Sequence, residues 1–130
     1  MPLVRIDSPD SRTPEDLAAI GDGVHRALIE AIGIPEQDRF QVLSRHSSGQ
    51  LVFDRHYLGI SRSDGVVFVQ ITMSLGRSVE QKKALYAAIV RNLVALRCEE
   101  RANVATFRPW AFVKGTLTLT TTAANNVAKR

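Results

Sequence analysis

Apolar residues follow two different spacings along the chain, and each spacing occurs twice. Residues 3–6 and 66–71 are short apolar stretches, rich in β-branched side chains, that are typical of strands. Apolar positions three and four residues apart then predict two amphipathic helices. In chain order these positions are Leu17, Ile20, Val24, Ala27, Leu28 and Ala31, followed by Leu85, Ala88, Ile89, Leu93 and Leu96. Each helix is therefore expected to bury one stripe.

The two strand–helix pairs form an internal repeat. A shift of 65 positions aligns Arg12 with Arg77, and the match runs without a gap from the first strand through the first helix. Thr13 and Ser78 then become equivalent, and a hydroxyl group at either position can cap a helix N-terminus. Ser78 and Gln81 also have the spacing of a capping box. Both repeats thus predict a helix start at the same place.

A second strand completes each repeat. The first helix is expected to begin at Pro14 and to end near Gly33, ahead of Pro35. Strands are predicted next at 39–44 and, after the second helix, at 102–107. A right-handed crossover makes the two strands of each β-α-β unit parallel and places both helices on one face of the sheet.

The length of 130 residues fits one domain. We expect a single domain over residues 1–130 that is built from two β-α-β units in tandem. The first unit covers about 2–45, a connector covers 46–65, the second unit covers about 66–107, and a C-terminal hairpin and tail cover 108–130.

The strand at 66–71 also predicts an oligomer. Both of its alternating sides are largely apolar, as in strands of sheets that are covered on both faces. Two helices cover one face only, so the other face needs a further partner. Another copy of the chain is the simplest partner, and a closed homo-oligomer would also protect the sheet edges.

Composition and charge argue against several classes of protein. Hydrophobic residues make up 45% and charged residues 23%, which is ordinary for a globular protein. No secretory signal and no run of roughly 18 apolar residues is present, so we expect a cytoplasmic protein without a membrane partner. The net charge of +4 suits nucleic acid or a small anion. Because the basic residues are scattered and Phe68 is almost alone as a stacking residue on its strand, a nucleic-acid partner is not favoured.

Metal and disulfide chemistry are not predicted. His25, His46 and His56 have no metal-ligand spacing, and we expect them at the surface. Cys98 is the only cysteine and falls within a helical pattern, so a buried, inert thiol is expected and an internal disulfide is excluded.

Pro2 has two interpretations that the residues alone leave open. A proline is tolerated at the first residue of a strand, where no ladder hydrogen bond is needed. Alternatively, removal of Met1 would leave Pro2 as a free secondary amine. An α-amino group has an ordinary pKa of about 8, which suits acid or base chemistry near neutral pH.

Four further residues also have two interpretations. Arg77, after a glycine and before a helix, can bind a carboxylate through its planar fork, or it can be a solvated residue of the repeat. Asp38 lies in a loop where a carboxylate is most often a turn former. Trp110 and Phe112 share one face of an extended segment, which suits either the core or a pocket wall.

Three segments together resemble the tautomerase superfamily, and in particular the malonate semialdehyde decarboxylase family. They are MPLVRID, IPEQDRFQVL and LGISRSDGVVFVQITMSLGRSVEQKKALY, and the resemblance covers about residues 2–97. The combination of an N-terminal proline, P-x-x-D-R-F and G-R-S-x-E-x-K is more specific than any part of it. The independently derived β-α-β repeat agrees with this family.

The resemblance implies an α+β fold: a tandem β-α-β repeat, a four-stranded mixed sheet with two helices on one face, and a homotrimer. It implies an enzyme without a cofactor or metal that acts on a small anionic carboxylic acid. Pro2 matches the catalytic acid or base, Asp38 the residue that orients or activates water, and Arg77 the residue that binds substrate carboxylate. Trp110 and Phe112 match a segment that would contribute to substrate binding.

The chain departs from the family pattern at two places. Some decarboxylases carry R-P-R where this chain has one arginine, in Ser74-Leu75-Gly76-Arg77. The family often ends in W-S-F-G where this chain has Trp110-Ala111-Phe112-Val113. Decarboxylation, hydration and keto–enol tautomerisation all remain open, as does a noncatalytic relative that keeps the trimer.

Overall fold

The computed structural model describes residues 1–56 and 65–98 together with the backbone of two later strands. Its elements are β1 (Leu3–Pro9), α1 (Pro14–Ile32), β2 (Phe40–His46), β3 (Val67–Thr72), α2 (Val79–Cys98), β4 (Val104–Val113) and β5 (Thr116–Ala124). The five strands form one mixed sheet in the order β2-β1-β3-β5-β4. The tandem β-α-β repeat and the mixed sheet agree with the sequence analysis.

The prediction of a four-stranded sheet is wrong by one strand. β1 and β2 are parallel neighbours, as predicted for the first unit. In the second unit, β5 lies between β3 and β4 and is antiparallel to both. The strand predicted at 102–107 and the first arm of the predicted C-terminal hairpin are both part of β4. The spacing of apolar residues did not reveal the position of β5, because the neighbours of β3 are set by pairing with residues that are distant in the sequence.

The starts of both helices follow local chemistry. Thr13 accepts a hydrogen bond from the backbone of Asp16, whose carboxylate in turn accepts one from the backbone of Thr13. Ser78 and Gln81 form the same reciprocal pair, at 2.9 and 3.1 Å. α1 ends at Ile32 and is capped by Gly33, which has a φ of 74° that favours glycine. Neither described helix is long and apolar enough to cross a bilayer.

One face of the sheet packs against both helices. Val4 and Ile6 of β1 and alternate residues of β3 are buried with the apolar stripes of α1 and α2 in a single cluster. The helices therefore lie on one face, as predicted. Leu3, Phe40 and Val42 point to the other face, where they are 44%, 48% and 40% exposed. In the protomer this second face, which we call the open face, has no covering helix among the described residues.

Candidate active site

Three segments of the chain meet at one end of the sheet. β1 pairs with β2 in parallel, and Leu3 lies opposite Phe40. β1 pairs with β3 antiparallel, and Leu3 lies opposite Thr72. The residues before Leu3, the residues before Phe40 and the residues after Thr72 therefore leave the sheet at the same end. This topology brings the segments that carry Pro2, Asp38 and Arg77 together.

The N-terminal amine lies beside Asp38. The nitrogen of Met1 is 3.6 Å from Oδ2 of Asp38, whose side chain is only 20% exposed. Pro2 itself is buried, directly ahead of β1. The unprocessed chain thus already places an ammonium group against this carboxylate. Removal of Met1 would transfer the amine by one residue, to Pro2.

Asp38 is held in a tight turn between α1 and β2. Its backbone N–H donates to the carbonyl oxygen of Pro35 at 3.0 Å, and that of Arg39 donates to Gln37 at 2.9 Å. Phe40 then enters the parallel ladder with β1. The turn former expected from the sequence is therefore present. Its position also directs the carboxylate towards the N-terminus.

Arg77 and its repeat partner Arg12 have different environments. Arg12 donates to the carbonyl oxygen of Gly65 at 2.6 Å, which joins two distant parts of the chain. Arg77 is half-buried between Gly76 and the capping residue Ser78, and it makes no hydrogen bond or ion pair with any described residue. Gly76 has a φ of 110°, a backbone conformation that favours glycine. The two arginines are therefore not equivalent, and Arg77 is available to a ligand.

Trp110 and Phe112 are placed on the far side of the sheet. Both belong to β4, which β3 and β5 separate from β1, a lateral distance of roughly 14 Å at the usual strand spacing. The pairing register shifts between Trp110 and Val113. The side chains of β4 lie outside the described residues, so the substrate-binding role of Trp110 and Phe112 stays a prediction.

A cavity of about 300 Å³ lies at the opposite end of β1 and β2. Pro9, His46 and Arg55 are among its lining residues, whereas Pro2, Asp38 and Arg77 are not. His46 is half-buried and is hydrogen-bonded through Nε2 to the carboxylate of Asp7 at 2.7 Å. This cavity is therefore separate from the candidate site.

The expectation that His25 is a surface residue is wrong. His25 is 7% exposed, and its Nε2 donates to the carbonyl oxygen of Glu36 at 2.8 Å. The apolar stripe of α1 does not include it, but Gly21, one turn earlier, is buried as well. The buried face of α1 is thus wider than the stripe, because the chain folds back over α1 after Gly33. The sequence indicated this burial only through the short, proline-containing turn that leads from α1 to β2.

The geometry combines one cation, one anion and one amine. A guanidinium group without a described partner can take a carboxylate through two parallel hydrogen bonds. An amine at the same end of the sheet can donate or accept a proton, and the carboxylate of Asp38 can orient water. Such a site suits small carboxylic acids.

Comparisons with known proteins identify the family of the chain. Two family models, each described as "Tautomerase enzyme", match residues 38–100 and 2–61. The probable tautomerase YusQ of Bacillus subtilis is 33% identical over 93 residues, which are 72% of this chain and 73% of that protein.

Two solved structures are also similar. The FG41 malonate semialdehyde decarboxylase inhibited by 3-bromopropiolate shares 38% identity, with a TM-score of 0.65 over 72% of each chain. A fused 4-OT that forms a symmetric trimer shares 20% identity, with a TM-score of 0.53 over 72% of each chain, which is a likeness of fold alone. The chain resembles malonate semialdehyde decarboxylase and belongs to the tautomerase superfamily.

Proposed function

We propose that the chain is a cofactor-free enzyme that acts on small oxo or unsaturated carboxylic acids, with decarboxylation of a 3-oxo acid as its main reaction. The observation that carries the proposal is the half-buried Arg77, without a described partner, at the end of the sheet that also holds the N-terminus and Asp38. The similarity to malonate semialdehyde decarboxylase supports the substrate class.

The placement of the amine favours acid chemistry. The carboxylate of Asp38 lies 3.6 Å from the amine of the unprocessed chain, which is ion-pair distance for a cationic amine. A cationic Pro2 would donate a hydrogen bond to the carbonyl oxygen of a 3-oxo acid while Arg77 binds its carboxylate. The bond between the carboxylate carbon and the α-carbon then breaks, and its electron pair forms an enolate that the ammonium group stabilises. Carbon dioxide leaves, and the α-carbon takes up a proton.

Two other reactions use the same residues. Asp38 can orient water for addition to an unsaturated acid, which is hydration. A neutral Pro2 can move a proton between carbon and oxygen of a 2-oxo acid, which is tautomerisation. Tautomerisation is the second candidate because the chain is 33% identical to a probable tautomerase.

Two substrates distinguish these reactions. We expect malonate semialdehyde to yield acetaldehyde faster with the protein than in buffer, because the site combines an acid with a carboxylate binder. Proton NMR of parallel incubations with malonate semialdehyde and phenylenolpyruvate would measure this. Faster ketonisation of phenylenolpyruvate without acetaldehyde would assign a tautomerase. Rates equal to buffer with both substrates, and with unsaturated acids, would contradict the proposal and favour a noncatalytic relative.

We also propose that the chain assembles as a homotrimer through the open face. Leu3, Phe40 and Val42 lie together on this face, and each is at least 40% exposed in the protomer. A contiguous apolar surface of this kind is typical of an interface. The trimeric fused 4-OT has the same fold. Light scattering coupled to size-exclusion chromatography should give three times the chain mass, and a monomer at micromolar concentration would contradict the assembly.

A further inference from the structure

The turn that carries Asp38 is attached to α1 on both sides. On the N-terminal side, His25 donates to the carbonyl oxygen of Glu36 at 2.8 Å. On the C-terminal side, Arg39 donates to the carboxylate of Asp22 at 2.6 Å. Because residues three apart on a helix share a face, Asp22 and His25 hold the turn from the same side of α1.

The two attachments differ in strength. The side chains of Arg39 and Asp22 are 40% and 54% exposed. An ion pair that is exposed to water contributes little to stability. His25 is 7% exposed, and a buried donor or acceptor that loses its partner is strongly disfavoured. Since a carbonyl oxygen only accepts, Nε2 of His25 must carry the proton. The bond from the buried His25 is therefore the attachment that fixes the turn.

We propose that His25 is a positioning residue that holds the Asp38 carboxylate against the N-terminal amine. This inference rests on the proposed function, in which that amine belongs to Pro2. His25 does not contact the amine. It fixes the carbonyl of Glu36, which lies two residues before Asp38, and the pairing of Phe40 with Leu3 fixes the chain two residues after it. Asp38 has little freedom between these two points.

The inference predicts how the N-terminal amine titrates. Asp38 and Arg77 are the charged groups expected to face it, and Asp38 lies 3.6 Å from the amine of the unprocessed chain. Loss of the bond from His25 should release Asp38 and move the titration midpoint to lower pH. Selective labelling with [15N]proline isolates the amine of Pro2, because the other four of the five prolines lie within amides.

Four variants test the inference by NMR titration. We expect both Asp38→Asn and His25→Leu to move the midpoint to lower pH. His25→Gln, whose amide can place a donor near Nε2, should keep the wild-type midpoint, as should Arg26→Ala on the exposed side of α1. In the Asp38→Asn background, His25→Leu should have no additional effect. A wild-type midpoint for His25→Leu, or for Asp38→Asn, would overturn the inference.

Turnover gives an independent measurement. We expect His25→Leu to lower kcat about tenfold with KM nearly unchanged, because Arg77 still binds the carboxylate. If His25→Leu does not fold, His25→Asn replaces it, since the shorter amide keeps polarity but does not reach Glu36. Midpoints that shift as expected in a protein without turnover would refute the proposed function and support the positioning role. Turnover in a protein whose midpoints do not shift would support the proposed function and refute the positioning role of His25.

Discussion

Replacement of Pro2 by alanine is expected to lower kcat for malonate semialdehyde by about 10²- to 10⁴-fold, the range that a positioned acid or base contributes. Pro2 is buried directly ahead of β1, where its ring restricts the backbone and fixes the direction of the amine. Alanine at this position still allows Met1 to be removed, but it leaves a primary amine that can rotate. Initial rates measured by acetaldehyde formation, with intact mass to verify loss of Met1, would test this.

Pro9 offers a matched control for the Pro2 experiment. Pro9 is the last residue of β1, at the end of the strand away from the candidate site. Like Pro2→Ala, Pro9→Ala therefore removes one proline at an end of β1. This variant should keep kcat within about twofold of wild type, because the partly buried Pro9 lies far from the candidate site. Undiminished turnover by Pro2→Ala would contradict the proposed function. Equal losses in both variants would show that a change in β1 itself had lowered the rate.

Local chemistry explains which parts of the fold were predictable. Thr13, Ser78 and Gly33 act within one helical turn, so their capping roles follow from the sequence alone. The insertion of β5 between β3 and β4 depends on pairing between residues about 50 positions apart, and alternation along a strand gives no information about its neighbour. The number of strands was therefore the part of the fold that sequence reasoning missed.

The candidate site also has features that the sequence predicts and features that it does not. The parallel register of β1 and β2 follows from the β-α-β unit, and it brings Asp38 next to the N-terminus. The burial of His25 depends on a carbonyl group eleven positions later, in a turn whose path the apolar stripe does not encode. Trp110 was expected near the site, but the topology places β4 three strands away from β1. A role for Trp110 would therefore suit a pocket shared between protomers.

Replacement of Arg77 by alanine is expected to lower kcat/KM for malonate semialdehyde by at least about 100-fold, mostly through KM. The reason is the loss of two charge-assisted hydrogen bonds to the substrate carboxylate, each typically about 1.5–3 kcal/mol when one partner is ionised. Arg77→Lys should recover only part of the loss, because an ammonium group keeps the charge but not the planar fork. Steady-state kinetics of both variants would measure these effects.

The structure also predicts what the Arg77 variants should leave unchanged. Arg77 makes no bond to a described residue, so its removal should have little effect on the thermal midpoint of unfolding. Arg26→Ala, on the exposed side of α1, removes the same charge and should keep wild-type kinetics. Wild-type kcat/KM for malonate semialdehyde in Arg77→Ala would mean that another residue binds the carboxylate. A loss that appears only in kcat, with KM unchanged, would mean that Arg77 acts on the reacting carbonyl and not on substrate binding.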